Sequence, residues 1–206
     1  MIKLYDHPLS GHAHRARAML KLLGLEYESV VVDLANNAHK SPEFLQLNAF
    51  GQVPVLVDGE VVIRDSAAIL TYLASKYDPS GRWLPKDPAL AAQVAAWLTT
   101  STKEIYDGPF KARLVKVFNQ PLDHAAAVEV SHRILGNVFD PHLANRDWLV
   151  GDTPTIADIA NYGYISCAPE GDVDLTDYPS VIIWLRRLER IPNFETMPAV
   201  ADVLAA

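Results

Sequence analysis

The hydrophobic rhythm of the chain changes after about residue 78. Before it, short β-branched runs alternate with helical patterns; after it only helical spacing recurs. Ile2-Lys3-Leu4-Tyr5 predicts a strand, and Pro8 and Gly11 mark His7-Pro8-Leu9-Ser10-Gly11 as a turn. Ala16, Met19, Leu20 and Leu23 predict a helix from about His12 to Leu23, stopped by Gly24. Tyr27 to Leu34 reads as a second strand, and Ser41-Pro42-Glu43 opens a short helix through Leu47. Val53 to Val57 and Glu60 to Ile63 read as strands joined by an Asp58-Gly59 hairpin signal. Asp65 and Ser66 then head a helix through about Tyr77.

The prolines and glycines of 79–88 predict a linker between an α/β domain, 1–78, and an all-helical domain, 89–206. The second domain begins with a helix carrying Ala92, Ala95, Ala96 and Leu98, kinked at Gly108-Pro109. Further helices are expected over about Asp123 to Leu143, from near Thr155, over about Pro179 to Arg190, and after Phe194.

Composition narrows the function. Half of the 206 residues are hydrophobic, enough for a substantial core, and the formal net charge of −7 with no basic block argues against nucleic acid or an anionic membrane surface as partner. The opening residues do not read as a signal peptide, and no apolar run approaches the roughly 18–20 residues that cross a bilayer. A single cysteine, Cys167, allows no intrachain disulfide and no cysteine metal cluster, which suits a reducing, cytoplasmic setting. No metal site is expected, since His12 and His14 lack partners at ligand spacing.

Three motifs carry chemistry or architecture. Val53-Pro54 puts a proline at a strand start. A trans bond is the commoner state, whereas a cis bond would turn the Val53 backbone toward a ligand able to pair as an added strand. Asp65-Ser66 at a helix start is an ordinary cap, or a seat for a group carrying both an ammonium and a carboxylate. Thr155-Ile156-Ala157-Asp158 is a capping box with Asp for Glu, flanked by Pro154 and Ile159 at staple positions, and is assigned to folding.

Taken in order, Asn48-Ala49-Phe50-Gly51-Gln52-Val53-Pro54-Val55-Leu56, Asp65-Ser66-Ala67-Ala68-Ile69-Leu70-Thr71-Tyr72-Leu73 and Thr155-Ile156-Ala157-Asp158 resemble the glutathione transferase superfamily, in its bacterial-type serine or cysteine branch, over nearly the whole chain. The family often has Glu-Ser where this chain has Asp65-Ser66. The resemblance implies a thioredoxin-like first domain, a helical bundle, cis-Pro54, a homodimer, and glutathione as cosubstrate for a small electrophile.

Such chemistry needs the thiolate. Lowering a thiol pKa from about 8.5 to about 6.5 takes roughly 2.7 kcal/mol of selective anion stabilisation. A hydrogen bond to a charged acceptor gives about 1.5–3 kcal/mol and a helix N-terminus about 0.3–1 kcal/mol, so a hydroxyl at a helix start suffices. The resemblance places the catalytic group in the loop holding Ser10, which is also a plausible cap; His12 could assist, and Tyr5 is a rival whose alternation suits sheet packing. For the glycine carboxylate of glutathione, His39, Lys40 and Gln52 are candidates, with Lys40 equally readable as a surface lysine. Val53, Pro54, Asp65 and Ser66 would bind the rest of the peptide. Arg15 and Arg17 face different sides of their helix, so at most one can reach the site. Tyr106, Phe110 and Arg113 could line an apolar second-substrate pocket with one cation between the domains, or the aromatics could be core. Glutathione-dependent isomerisation, thiol reduction and non-catalytic glutathione binding are the alternatives. Reduction would want a cysteine where Ser10 stands.

Overall fold

A computed structural model of the chain describes residues 1–204. It divides into two compact units: residues Met1–Pro79 together with the chain from Pro192 onward, and Ser80–Ile191.

The first unit holds a four-stranded sheet of β1 (Ile2–Asp6), β2 (Tyr27–Val31), β3 (Val55–Asp58) and β4 (Val61–Arg64), in the order β2-β1-β3-β4. β2 runs parallel to β1, while β3 and β4 are antiparallel to their neighbours. The helices are α1 (Gly11–Leu22), α2 (Pro42–Leu47) and α3 (Ser66–Tyr77). The two-residue period of a strand sorts the faces. Tyr5 and Val55 are paired in register; Val55 packs with Val32 and Phe44 of α2, and Tyr5 meets the Phe44 ring edge-on at 6.0 Å. Leu4 and Leu56, the next pair along, are fully buried on the opposite face, and α3 packs on β3, β4 and α1. This is the expected thioredoxin-like arrangement of a small mixed sheet with helices.

Boundaries move where local chemistry intervenes. β3 starts at Val55 rather than Val53, since Pro54 has no N–H to give the ladder; the Val53-Pro54 bond ahead of it is cis. Asp58 pairs with Val61, so the hairpin turns on Gly59 and Glu60, with Gly59 at φ +63°, one residue later than the Asp58-Gly59 reading. β2 ends at Val31, three residues before Leu34. The expected 89–206 domain loses its last segment, because the chain from Pro192 onward belongs to the first unit, including α10 (Val200–Leu204).

The second unit contains helices and no strand among its described residues. Asp87 caps α4 (Pro88–Thr102), accepting from Ala89 and Leu90 N–H. Pro109 falls in a π-helical turn, Tyr106–Phe110, just before α5 (Lys111–Phe118), which is the expected kink realised as a π-bulge. The helix expected over 123–143 is α6 (His124–Ile134), a second π turn, Leu135–Phe139, and α7 (Asp140–Leu143). α8 (Ile156–Ser166) is buried from Ile156 to Ile165, and α9 (Pro179–Glu189) packs against it. The 80–88 stretch is part of this unit: the Trp83 carbonyl accepts from Ile156 N–H at 2.9 Å.

Candidate functional site

Sheet register gathers most of the expected residues at one end. Tyr5, Val55 and Arg64 form one row across β1, β3 and β4. The chain leaves β1 toward Ser10, enters β3 from Val53-Pro54, and leaves β4 into Asp65-Ser66. β2, parallel to β1, exits at the same end toward His39 and Lys40.

Ser10 is the N-cap of α1, in extended conformation, and its Oγ accepts from Ala13 N–H at 3.2 Å. Capping uses an oxygen lone pair and leaves the hydroxyl proton, which has no acceptor among the described residues, able to donate. The N-terminus of α1 adds its positive dipole end at the same point. The cap reading and the catalytic reading of Ser10 are therefore compatible.

His12, half-buried in the first turn of α1, accepts at Nδ1 from Arg15 Nη1 at 3.1 Å. A guanidinium only donates, so the ring is neutral with its proton on Nε2. Burial and the Arg15 charge push His12 well below the ordinary histidine range. The neutral ring is therefore the state near pH 7. Arg15 is fully buried and also donates to Ser66 Oγ at 2.9 Å, with Ser66 Oγ 3.4 Å from His12 Nδ1. One guanidinium thus joins the starts of α1 and α3.

Asp65 caps α3 with a single oxygen, Oδ1, which accepts from Ala67 and Ala68 N–H at 2.9 and 3.0 Å. Its backbone is at φ +78°, a costly region for a residue with a Cβ, so the surroundings hold it there. The exposed carboxylate keeps its second oxygen for another partner. Ser66 is buried and already engaged by Arg15 through its hydroxyl.

The Val53 N–H and C=O have no hydrogen-bond partner among the described residues, as pairing with an added peptide strand requires. The approach to Val53 is built by Asn48, buried, which donates from Nδ2 to the Gln52 carbonyl at 2.8 Å and accepts at Oδ1 from Phe50 N–H at 3.1 Å. Lys40 Nζ donates to the Phe50 and Gly51 carbonyls at 3.2 and 3.0 Å, so its ammonium is fixed beside this turn. Gly51 has φ +57°, and a Cβ there would lie 2.7 Å from Lys40 Nζ and 2.8 Å from the His39 carbonyl. His39 is half-buried, and desolvation and Lys40 lower its pKa. Gln52 is exposed.

Three residues weighed for the site lie elsewhere. Tyr5 faces the Phe44 cluster, in the sheet-packing role weighed for it. Arg17 turns from the site and pairs with Asp6 and Glu195, both at 2.6 Å. Arg113, expected as a pocket cation, is buried in the helical unit with its Nε 2.5 Å from Glu170, because a guanidinium taken into a core needs a carboxylate. Tyr106 and Phe110 do meet, as a tilted pair at 4.9 Å, and Phe110 also meets Tyr164 at 4.7 Å. Sequence reasoning gave no role to Asn48 or Glu195 and left open whether Arg15 or Arg17 reaches the site. The positions of two buried arginines on one short helix were the available signal.

The chain is similar to known glutathione transferases along most of its length. The glutathione S-transferase N-terminal domain model matches residues 1–75, and the glutathione S-transferase C-terminal domain model matches residues 110–192. The chain is 37% identical to glutathione S-transferase 3 of Zea mays over 206 aligned residues, covering 94% of this chain and 91% of the maize protein. A glutathione S-transferase structure from Xanthobacter autotrophicus Py2 superposes with a TM-score of 0.89 at 31% identity, covering 98% of this chain and all of that one. A glutathione transferase homologue from Lodderomyces elongisporus, solved with two glutathione molecules per subunit, matches with a TM-score of 0.84 at 28% identity over 94% of this chain and 95% of its own. The chain therefore belongs to the glutathione S-transferase family and is a glutathione transferase, with glutathione as its cosubstrate.

Proposed function

We propose that the protein conjugates glutathione to small electrophiles, with Ser10 as the group that holds the cosubstrate as a thiolate. The observation that carries this reading is the Ser10 hydroxyl at the head of α1, anchored by Ala13 N–H and still able to donate. The thiol loses its proton to solvent; the Ser10 O–H and the helix end stabilise the sulfur anion. The thiolate then forms a C–S bond while a leaving group departs with its electron pair, or while the electron pair of an activated double bond shifts and is later protonated. No step changes the oxidation state of sulfur.

The peptide is held in three places. The Val53 backbone pairs with it as an added strand, the Asp65 carboxylate takes the γ-glutamyl ammonium, and the α3 N-terminus beside Ser66 takes the adjacent carboxylate. His39, Lys40 and Gln52 flank the glycine end, where the Lys40 ammonium supplies positive charge. His12, neutral, supplies a polar N–H rather than a second cation. Within the helical unit, Tyr106 and Phe110 form an aromatic pair with ring centroids 4.9 Å apart. Cys167 is buried with its thiol pushed up to about 11, which argues against thiol–disulfide chemistry.

Assembly as a homodimer and a cytoplasmic location complete the reading. Exposed Phe50, Val61 and Val62 are apolar surface that a second copy could cover, and no described helix is long and apolar enough to cross a membrane. Sedimentation velocity tests the dimer. The chemistry is tested by ultraviolet titration of protein-bound glutathione together with turnover of a chromogenic aryl halide. A bound thiol pKa well below that of free glutathione is expected; an unshifted value in a saturated complex removes the mechanism.

A further inference from the structure

Arg17 is a buried side chain that the proposed chemistry leaves unused, yet its guanidinium reaches four acceptors. Nε donates to Glu195 Oε1 and Nη1 to Asp6 Oδ1, both at 2.6 Å; Nη1 also reaches the His7 carbonyl at 3.3 Å, and Nη2 the Pro8 carbonyl at 3.1 Å. The His7 carbonyl simultaneously accepts from Ser10 N–H at 2.9 Å. The guanidinium therefore grips the turn that delivers Ser10 to the head of α1.

Glu195 approaches from the far end of the chain. Its Oε1 holds Arg17, its Oε2 lies 2.6 Å from Lys21 Nζ, and its backbone carbonyl meets His14 Nε2 at 2.6 Å. Phe194 adds an edge contact to the His14 ring at 6.1 Å. The charges balance: Asp6 and Glu195 against Arg17 and Lys21, with His14 neutral because burial pushes it down to about 4. Burial raises the Glu195 carboxyl, but its bonds to Lys21 and Arg17 outweigh this and leave it below the ordinary range. Asp6 alone would neutralise Arg17. Glu195 does more: a second carboxylate on a different edge of the fork fixes the plane of the guanidinium, and with it the directions of Nη1 and Nη2 toward the turn.

We propose that Glu195 is a positioning residue for Ser10: through Arg17 it fixes the His7–Pro8 turn, so that the C-terminal segment forms part of the machinery that ionises the thiol. This rests on Ser10 as the thiolate's partner. A geometric device of this kind acts on the anion-stabilising hydroxyl more than on the peptide-binding groups at Val53 and Asp65. Its mark is a split between thiol ionisation and binding.

The test uses the full-length protein as Glu195→Ala, Glu195→Gln, Ser10→Ala and the double variant Ser10→Ala/Glu195→Ala. Three quantities are read: the pKa of bound glutathione, kcat with an aryl halide, and the Kd of S-methylglutathione, which binds without a thiol. Glu195→Ala should raise the bound thiol pKa by about one unit and lower kcat roughly tenfold, with Kd within about twofold. Glu195→Gln, which keeps an acceptor for Arg17, should recover part of both and serves if the alanine variant does not fold. In the Ser10→Ala background Glu195→Ala should have no further effect on the thiol pKa. A lowered melting temperature with unchanged thiol pKa and kcat would make Glu195 a purely structural residue. A shift that persists in the Ser10→Ala background would show that it acts by another route. If Ser10→Ala alone leaves the thiol pKa unmoved, the assignment of Ser10 fails, and this proposal with it; if Ser10→Ala moves the pKa and Glu195→Ala does not, only the clamp fails.

Discussion

Two helix starts in this protein use nearly the same chemistry to opposite ends. At the start of α8, Thr155 Oγ1 accepts from Ala157 N–H at 3.2 Å and Asp158 Oδ2 accepts from Thr155 N–H at 2.9 Å, completing the capping box. Asp158 is also a hub, its Oδ1 accepting from Leu149 N–H and Trp184 Nε1, each at 2.9 Å. Every group there is buried and satisfied, and Pro154 and Ile159 are buried beside it. At the start of α1 Ser10 caps as Thr155 does, but no acidic residue follows in the first turn and the hydroxyl proton stays available. A sealed helix end contributes stability; an open one keeps donors for a ligand.

The largest effect should come from opening the sealed end. Asp158→Ala strips three buried donors of their acceptor, each worth about 1–3 kcal/mol, so the helical unit should lose about 3 kcal/mol or more. All four tryptophans, Trp83, Trp97, Trp148 and Trp184, lie in that unit, so urea unfolding followed by tryptophan fluorescence reads the loss directly. A loss under about 1 kcal/mol would mean that water replaces the carboxylate and that the end is less sealed than the distances indicate.

Next comes removal of the open hydroxyl. Ser10→Ala should lower kcat/KM for aryl halide conjugation by roughly 10- to 100-fold, the value of one hydrogen bond to an anion. Thr155→Ala should cost about 0.5–2 kcal/mol of stability and leave kcat/KM unchanged. Equal activity in the Ser10 variant would make the two helix starts alike in function. Asp65→Ala should weaken glutathione binding by about tenfold, a charge-assisted contact, at a cap cost similar to that of Thr155→Ala. Unchanged affinity, measured calorimetrically, would leave Asp65 as a cap only.

How much of this was legible depended on range. Local signals held: Ser10, Ser41, Asp65, Asp123 and Thr155 all head helices, because capping is settled within three residues, whereas Asp87, read as linker, also caps one. Strand order brought Ser10, Val53 and Asp65 to one sheet end, and the motif order had already pointed there. Long-range pairing was opaque. Nothing near Glu195 says that it meets Arg17, 178 positions earlier, and nothing near Arg113 announces Glu170, so the C-terminal segment read as part of the helical domain and Arg113 as a pocket cation. That Lys40 is held by two backbone carbonyls of a turn that only glycine fits was equally opaque.

Two aspartates differ in the sign of their pH dependence. Asp58, at the end of β3, accepts from Tyr72, Lys76 and Tyr77, at 2.8, 2.6 and 2.6 Å, fastening the hairpin to the C-terminal half of α3, whose other end carries Asp65. Its hydrogen bonds, the one from Lys76 foremost, lower its pKa from 3.8 to about 2. Its contribution is therefore present above pH 3.8 and lost as the pH falls through about 2; it is small, because Lys76 is half-exposed and solvent screens the pair. Asp158 is raised to about 6, because burial outweighs its donors. Its contribution is fully present below 3.8, declines as the pH rises to about 6, and is flat beyond. Between pH 4 and 6 tryptophan fluorescence should thus report a helical unit that weakens as pH rises, a slope that Asp158→Asn abolishes. Between about pH 4 and 2 hydrogen exchange, corrected for intrinsic rates, should report loss of protection in β3, β4 and α3, a loss that Asp58→Asn makes independent of pH. A flat response between pH 4 and 6 would show that the buried donors at Asp158 offset its desolvation, and that the sealed helix end holds a carboxylate as readily as the exposed hairpin does.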